Sequence, residues 1–259
     1  MKSKINTSSD HIKSLLKQFK LLDIQLNYEA EIAYAIEHNI GYREFLVRLL
    51  DIEAKGKKER NAERNIKASK FEGIKRLEEF DFSFPDKINE AKVRDLETLS
   101  FINNKENVIL IGPPGVGKSH ISISLGVLAC KSGFKVLFTT AQEFMDKLYK
   151  SYLQGTLEIN FKAIRKIDLL IIDELGHFQM DKEKESIFFQ IIRQRYEKGS
   201  LILTTNTPLG NWDKIFTSKL AATAILDRLM HHCHLISITG DSYRVKGKIR
   251  RKSNDETES

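Results

Sequence analysis

Val108-Ile109-Leu110-Ile111-Gly112-Pro113-Pro114-Gly115-Val116-Gly117-Lys118-Ser119 is the stretch from which the rest of the chain can be read. The aliphatic run at its start has no polar interruption, the pattern of a strand buried on both faces. Gly112, Gly115 and Gly117 follow, and residues without a Cβ let the backbone curl tightly. From Lys118 to Lys131 the sequence is helix-like. A strand, a glycine loop and a helix in that order aim successive backbone N–H groups inward. The helix terminus adds partial positive charge, so the loop is a cradle for phosphate. The spacing G-x-x-x-x-G-K-S is met without a gap.

Working outward, the same grammar repeats. Residues 136–138, 169–172 and 201–203 are short aliphatic strands, and 235–238 is expected as a final strand. Helical patterns at about 142–153, 183–198 and 220–231 separate them. Strands alternating with helices predict a parallel sheet sandwiched by helices, hence an α/β phosphate-loop core. Upstream, residues 11–76 read as helical. Apolar side chains recur at three- and four-residue spacing in Leu15, Leu16, Phe19, Leu22 and Leu26, and again in Phe45, Leu46, Leu49 and Leu50. Gly41 separates two expected helices, and a charged helix is expected from about 52 to 76. Phe80-Asp81-Phe82-Ser83-Phe84-Pro85 reads as a linker that docks its rings on the next domain, with no helix passing through Pro85. The expected domains are a small all-helical one over 1–78, the α/β core over 79–250, and a polar tail over 251–259.

Composition narrows the function classes. The 259 residues are 41% hydrophobic, enough for a core, and no apolar run approaches the roughly 20 residues of a spanning helix. The polar start is not a secretory signal. Only Cys130 and Cys233 occur, so no disulfide framework is expected and a reducing, cytoplasmic setting follows. The formal charge is +7, which favours polyanionic partners. Basic residues cluster from Lys55 to Arg76 and from Lys246 to Lys252.

The loop predicts specific roles. Gly112, Pro113, Pro114, Gly115, Val116, Gly117, Lys118, Ser119 and His120 form the nucleotide-binding segment. Lys118 is expected to reach the β- and γ-phosphates, and the Ser119 hydroxyl to ligate Mg²⁺. Leu169-Leu170-Ile171-Ile172 runs into Asp173-Glu174, and carboxylates ending a buried strand are costly unless they serve a cation. Asp173 fits a Mg²⁺ ligand, and Glu174 fits the base that takes a proton from the attacking water. Asn206, at the end of the next strand, is placed to hold that water or sense the γ-phosphate. Mg²⁺-dependent ATP hydrolysis is the resulting expectation.

These motifs together resemble the AAA+ ATPases of the IstB family, transposition helpers of insertion sequences, and more distantly the DnaC-type helicase loaders. The resemblance rests on Phe80-Asp81-Phe82, Asn107-Val108, Phe138-Thr139-Thr140, residues 168–176, Thr204-Thr205-Asn206, residues 226–232 and Ser242-Tyr243-Arg244. It implies ATP held between subunits of a homo-oligomer. In that setting Arg228 matches an arginine finger reaching a neighbour's γ-phosphate, and Arg244 a second sensor on its own subunit's nucleotide. It also implies self-assembly on duplex DNA and a partner transposase. Lys147, Lys150, Lys162, Arg165 and Lys166 are candidate phosphate contacts, and the helical domain is a candidate for partner or DNA binding. The alternative within the resemblance is a replicative helicase loader, which would bind a helicase and single strands. A nucleotide-gated scaffold without turnover is disfavoured by Glu174, and a small-molecule kinase by Arg228 and Arg244. His231-His232-Cys233-His234 is not expected to bind metal, because adjacent ligands at a helix end converge poorly and no second cluster supplies partners.

Overall fold

The computed structural model describes residues 8–243, and the chain divides into two compact units, Met1–Arg64 and Asn65–Ser259. The first unit is helical. It holds α1 (Ser9–Gln18), α2 (Leu22–Glu37) and most of α3 (Tyr42–Ala68). Two helices therefore precede Gly41, where the sequence suggested one. They break at Lys20, whose backbone is left-handed (φ 58°). The third helix begins at Tyr42, not near 52, and stops at Ala68, just before left-handed Lys70 (φ 62°).

One side chain ties this unit together. α2 has no side-chain cap of its own. The buried Glu53 on α3 supplies one from outside, accepting from the backbone N–H groups of Asp23 at 2.9 Å and Ile24 at 3.2 Å. A carboxylate at a helix N-terminus satisfies orphan donors and meets the positive end of the dipole. Arg60 bridges Asp23 and Glu53, so this member of the basic run is committed internally. The Asp23 carboxylate beside it raises its pKa.

Residues 65–78, read from sequence as part of the helical domain, pack in the second unit. The Ser69 carbonyl accepts from Phe138 N–H at 2.8 Å, and the Phe71 ring lies 6.0 Å from that of Phe138. The division therefore falls inside α3, earlier than the expected 78/79.

The second unit is a parallel five-stranded sheet in the order β2-β3-β4-β1-β5. Its strands are β1 (Asn107–Ile111), β2 (Val136–Thr140), β3 (Leu169–Leu175), β4 (Ser200–Thr205) and β5 (Cys233–Ser237). Short helices α4 (Glu90–Asp95) and α5 (Ser100–Asn103) lead in. They are followed by α6 (Lys118–Lys131), α7 (Ala141–Leu153), α8 (Leu157–Ile164), α9 (Lys182–Arg195) and α10 (Lys219–Met230). Alternation along β3 covers both faces. Leu169 and Ile171 join a core with α6, α4 and α5, while Leu170 and Ile172 join a second core with α7, α9 and α10. All these side chains are fully buried, which is why the strands read as unbroken aliphatic runs.

Arg195 closes the lower end of the sheet. It is buried, and its guanidinium donates to the carbonyls of Ile164, Ile167, Asp168 and Ser200. Burial pushes its pKa down to about 10 while Asp168 opposes the shift, so it remains a cation at neutral pH. Among the described residues no helix is long and apolar enough to cross a membrane.

Candidate functional site

Strands β1, β3 and β4 deliver their carboxyl ends to one cleft of about 590 Å³. Ligands in open parallel sheets bind at this edge, where the strand order reverses. Pro114 to His120, Glu174, His177, Thr204, Asn206 and Tyr243 line it, with Phe80, Asp81 and Phe84 closing one side. Here β1 lies between β4 and β5, and β4 separates it from β3, so Asn206 stands between the loop and Glu174.

The loop's glycines are required by what surrounds them. Gly115 (φ +82°) sits under Ser242, whose Oγ would lie 2.1 Å from an added Cβ. Gly117 (φ +97°) sits under the Phe80 ring, 2.3 Å from such a Cβ. Both positions combine a left-handed backbone with close approach, and only glycine meets both conditions. Gly117 caps α6, whose first residue is Lys118. Lys118 Nζ donates to the carbonyls of Gly112 and Pro113, both at 2.7 Å, which holds the ammonium at the mouth of the loop. Gly112 N–H donates to Thr205 O at 3.2 Å, fastening the loop to β4. His120 Nε2 lies 2.8 Å from the Arg76 carbonyl, and its ring meets Phe80 edge-on.

The two carboxylates of β3 are driven apart by a bulge. Ile172 pairs with Leu203 and Leu175 with Thr205, so Asp173 and Glu174 together oppose Thr204. Such an extra residue bends a strand and re-aims a side chain. Glu174 takes φ 60°, and its carboxylate turns out into the cleft, about half exposed and 3.5 Å from His177 Nδ1. Asp173 stays buried at 4% exposure. Thr204 Oγ1 serves both residues, donating to Asp173 Oδ1 and accepting from Glu174 N–H at 2.9 Å.

The rings of the segment Phe80 to Pro85 pack together and on residues of the second unit, within which the segment lies. Phe80 meets Phe82 edge to face at 4.8 Å, and Phe84 meets Tyr243 at the same distance. Tyr243 N–H donates to Gly115 O at 3.0 Å, so the end of the described chain rests on the loop. Arg244 lies outside the described residues.

Other expected residues are elsewhere. Arg228 is absent from its own chain's cleft: its guanidinium lies 4.8 Å over the Phe189 ring and donates to Ala224 O. Lys147 and Lys150 are exposed on α7, and Lys162, Arg165 and Lys166 are exposed on or after α8. Lys147 borders a separate groove beside β2, and Arg165 pairs with Glu158. Sequence reasoning missed Thr204 and His177 at the site. Thr204 carries no signal apart from its bulge, and His177 reads as an ordinary turn residue.

The model of the IstB-like ATP binding protein family matches residues 14–251. A protein named for ATP binding in insertion sequence IS21 of Pseudomonas aeruginosa is 39% identical over 92% of this chain and 89% of its own length. One from IS5376 of Geobacillus stearothermophilus is 41% identical over 85% and 88%. Among solved structures, AMPPCP-bound DnaA from Aquifex aeolicus superposes with TM-score 0.56 at 20% identity, over 70% of this chain and 56% of that one. DnaI superposes with TM-score 0.55 at 20% identity, over 64% and 91%. At that identity the likeness concerns the fold.

Proposed function

The chain belongs to the IstB-like ATP binding protein family, and from that premise we propose an ATPase that assembles on duplex DNA and assists a partner transposase. It is an ATP-binding protein with the AAA+ fold. What carries the step from binding to turnover is Glu174: the bulge aims a half-exposed carboxylate into the cleft that the phosphate loop lines. A protein that only held nucleotide would have no use for that carboxylate or for its strained backbone.

In the proposed reaction the loop N–H groups and the α6 N-terminus hold the phosphates, and Lys118 reaches them from the loop mouth. The cradle suits phosphate, since the left-handed backbones of Gly115 and Gly117 curl the loop into the α6 N-terminus. Ser119 and the buried Asp173 are the residues that would hold Mg²⁺, which when bound offsets phosphate charge. Glu174 takes a proton from the attacking water as its oxygen bonds the γ-phosphorus and the bond to the β–γ bridging oxygen breaks. Asn206, between loop and base, orients the water. Arg228 serves an adjacent copy, and Arg244 contacts nucleotide in its own subunit.

Assembly is supported by the first unit, where Leu26, Ile36 and Tyr42 are 82%, 77% and 95% exposed. Burying such side chains against a second chain would favour association. The exposed cations of α7 and α8 suit salt-dependent contacts to DNA phosphates. The test is particle size and DNA binding on linear duplex and on single strands, with ATP, ADP or no nucleotide. Large ATP-dependent assemblies on duplex DNA are expected. Preference for single strands would replace this reading with a helicase loader, and a monomer indifferent to DNA would overturn the assembly proposal.

A further inference from the structure

The run His231-His232-Cys233-His234 is left unused by the nucleotide chemistry, and the fold separates its members. His234 turns to Glu106, with Nε2 2.8 Å from the carboxylate. Cys233 lies within β5, part-buried against the core, and its thiol is not among the converging ligand atoms. His231 and His232 stay exposed at the junction between α10 and β5. α10 ends at Met230, and its cap residue His231 keeps helical angles (φ −54°, ψ −43°). The two rings come to 4.2 Å between centroids, edge to face.

The missing partner comes from another turn. Glu197 sits between α9 and β4 with a left-handed backbone (φ 57°). Its Oε1 stands 4.0 Å from His232 Nε2. One ligand atom from each of Glu197, His231 and His232 lies within 4.8 Å of the other two. Ligands about 2.0–2.2 Å from a zinc ion stand roughly 3.3 Å apart, so movements of about 1 Å in exposed side chains close the set. His231 Nδ1 lies 2.8 Å from the Tyr196 hydroxyl. With a metal on Nε2, the neutral ring carries its proton on Nδ1 and donates it to the Tyr196 oxygen. That is the outer partner which orients metal-bound histidines.

We propose that Glu197, His231 and His232 form a site for a zinc-class divalent ion, completed by water and oriented by Tyr196. Two imidazoles and one carboxylate suit Zn²⁺ or Co²⁺, and hard Mg²⁺ or Ca²⁺ prefer all-oxygen shells. The site lies where β4 and β5 begin, at the opposite end of the sheet from the nucleotide cleft. An ion there cross-links the α9–β4 turn to the α10–β5 junction, so it acts on stability and leaves ATP binding alone.

The test is calorimetric titration of the chelator-treated full-length protein with Zn²⁺, under excess Mg²⁺ to occupy hard carboxylate sites. One ion per chain is expected, with a rise in melting temperature. Glu197→Gln and His232→Gln should each weaken binding roughly tenfold or more, while His234→Gln, whose ring is committed to Glu106, should not. Co²⁺ should show the visible absorption of a four-coordinate site, lost in His231→Gln. The proposal fails if Zn²⁺ does not bind, or if it binds equally to the Glu197 and His232 variants. The exposed side chains can be replaced without touching the core, so misfolding does not confuse the outcome.

Discussion

At Glu174 the needs of a strand and the needs of a site conflict. A left-handed backbone costs a non-glycine residue about 1–2 kcal/mol, and Glu174 holds φ 60° within β3. Thr204 offsets part of this by accepting the Glu174 N–H and fixing Asp173 through the same hydroxyl. Within ordinary strands glycine is less stable than alanine by about 0.5–1 kcal/mol. Here the order should reverse, with Glu174→Gly melting at or above Glu174→Ala. The usual order in a melting comparison would remove the strain argument. Both variants, like Glu174→Gln, are expected to bind ATP and to lose hydrolysis by about 100-fold or more, measured by phosphate release.

At the scale of elements, α2 depends on a cap that its own sequence does not contain. Glu53→Ala should destabilise the first unit by about 2 kcal/mol, because two N–H groups lose their acceptor and Arg60 loses a partner. Amide exchange at the start of α2 should accelerate, while ATP binding in the second unit stays unchanged. Arg60→Ala should cost less, since its side chain is 38% exposed. Unaltered exchange in Glu53→Ala would show that the cap contributes nothing. The same case explains what the sequence could reveal. The strands and the phosphate loop were legible because their signals are local: aliphatic runs, fixed glycine spacing, a lysine at the helix start. Glu53 lies 30 residues from the amide it caps, and Arg195 gathers carbonyls from two separate stretches, 164–168 and Ser200, so neither leaves a local pattern. α8 spans 8 residues, too few for periodicity to emerge. The bulge was invisible because Asp173-Glu174 continues the strand in sequence and only pairing with Thr204 doubles it.

For the whole molecule, the role proposed for Arg228 requires more than one chain in the active unit. Arg228 packs on Phe189, away from its own cleft, so any role in hydrolysis must be played on a neighbour. Arg228→Ala should therefore lower ATP turnover by about 10³-fold while each chain still binds ATP. Mixing it with Glu174→Gln should restore activity, since one variant supplies the base and the other the arginine at a shared interface. Phosphate release measured across mixing ratios distinguishes the cases: a maximum near equal amounts is expected, and a flat baseline would place Arg228 outside the chemistry.

The doubling opposite Thr204 makes Glu174 supernumerary to the sheet. Without it, Ile172 and Leu175 would stand two apart, matching Leu203 and Thr205, and both would still face the core they occupy now. A chain lacking that one residue would keep its ladder, its glycine cradle and its helices, and would turn over nothing. On the proposed mechanism, hydrolysis in this scaffold is thus one codon deep, and a lineage could discard it in a single deletion and keep the nucleotide-holding protein.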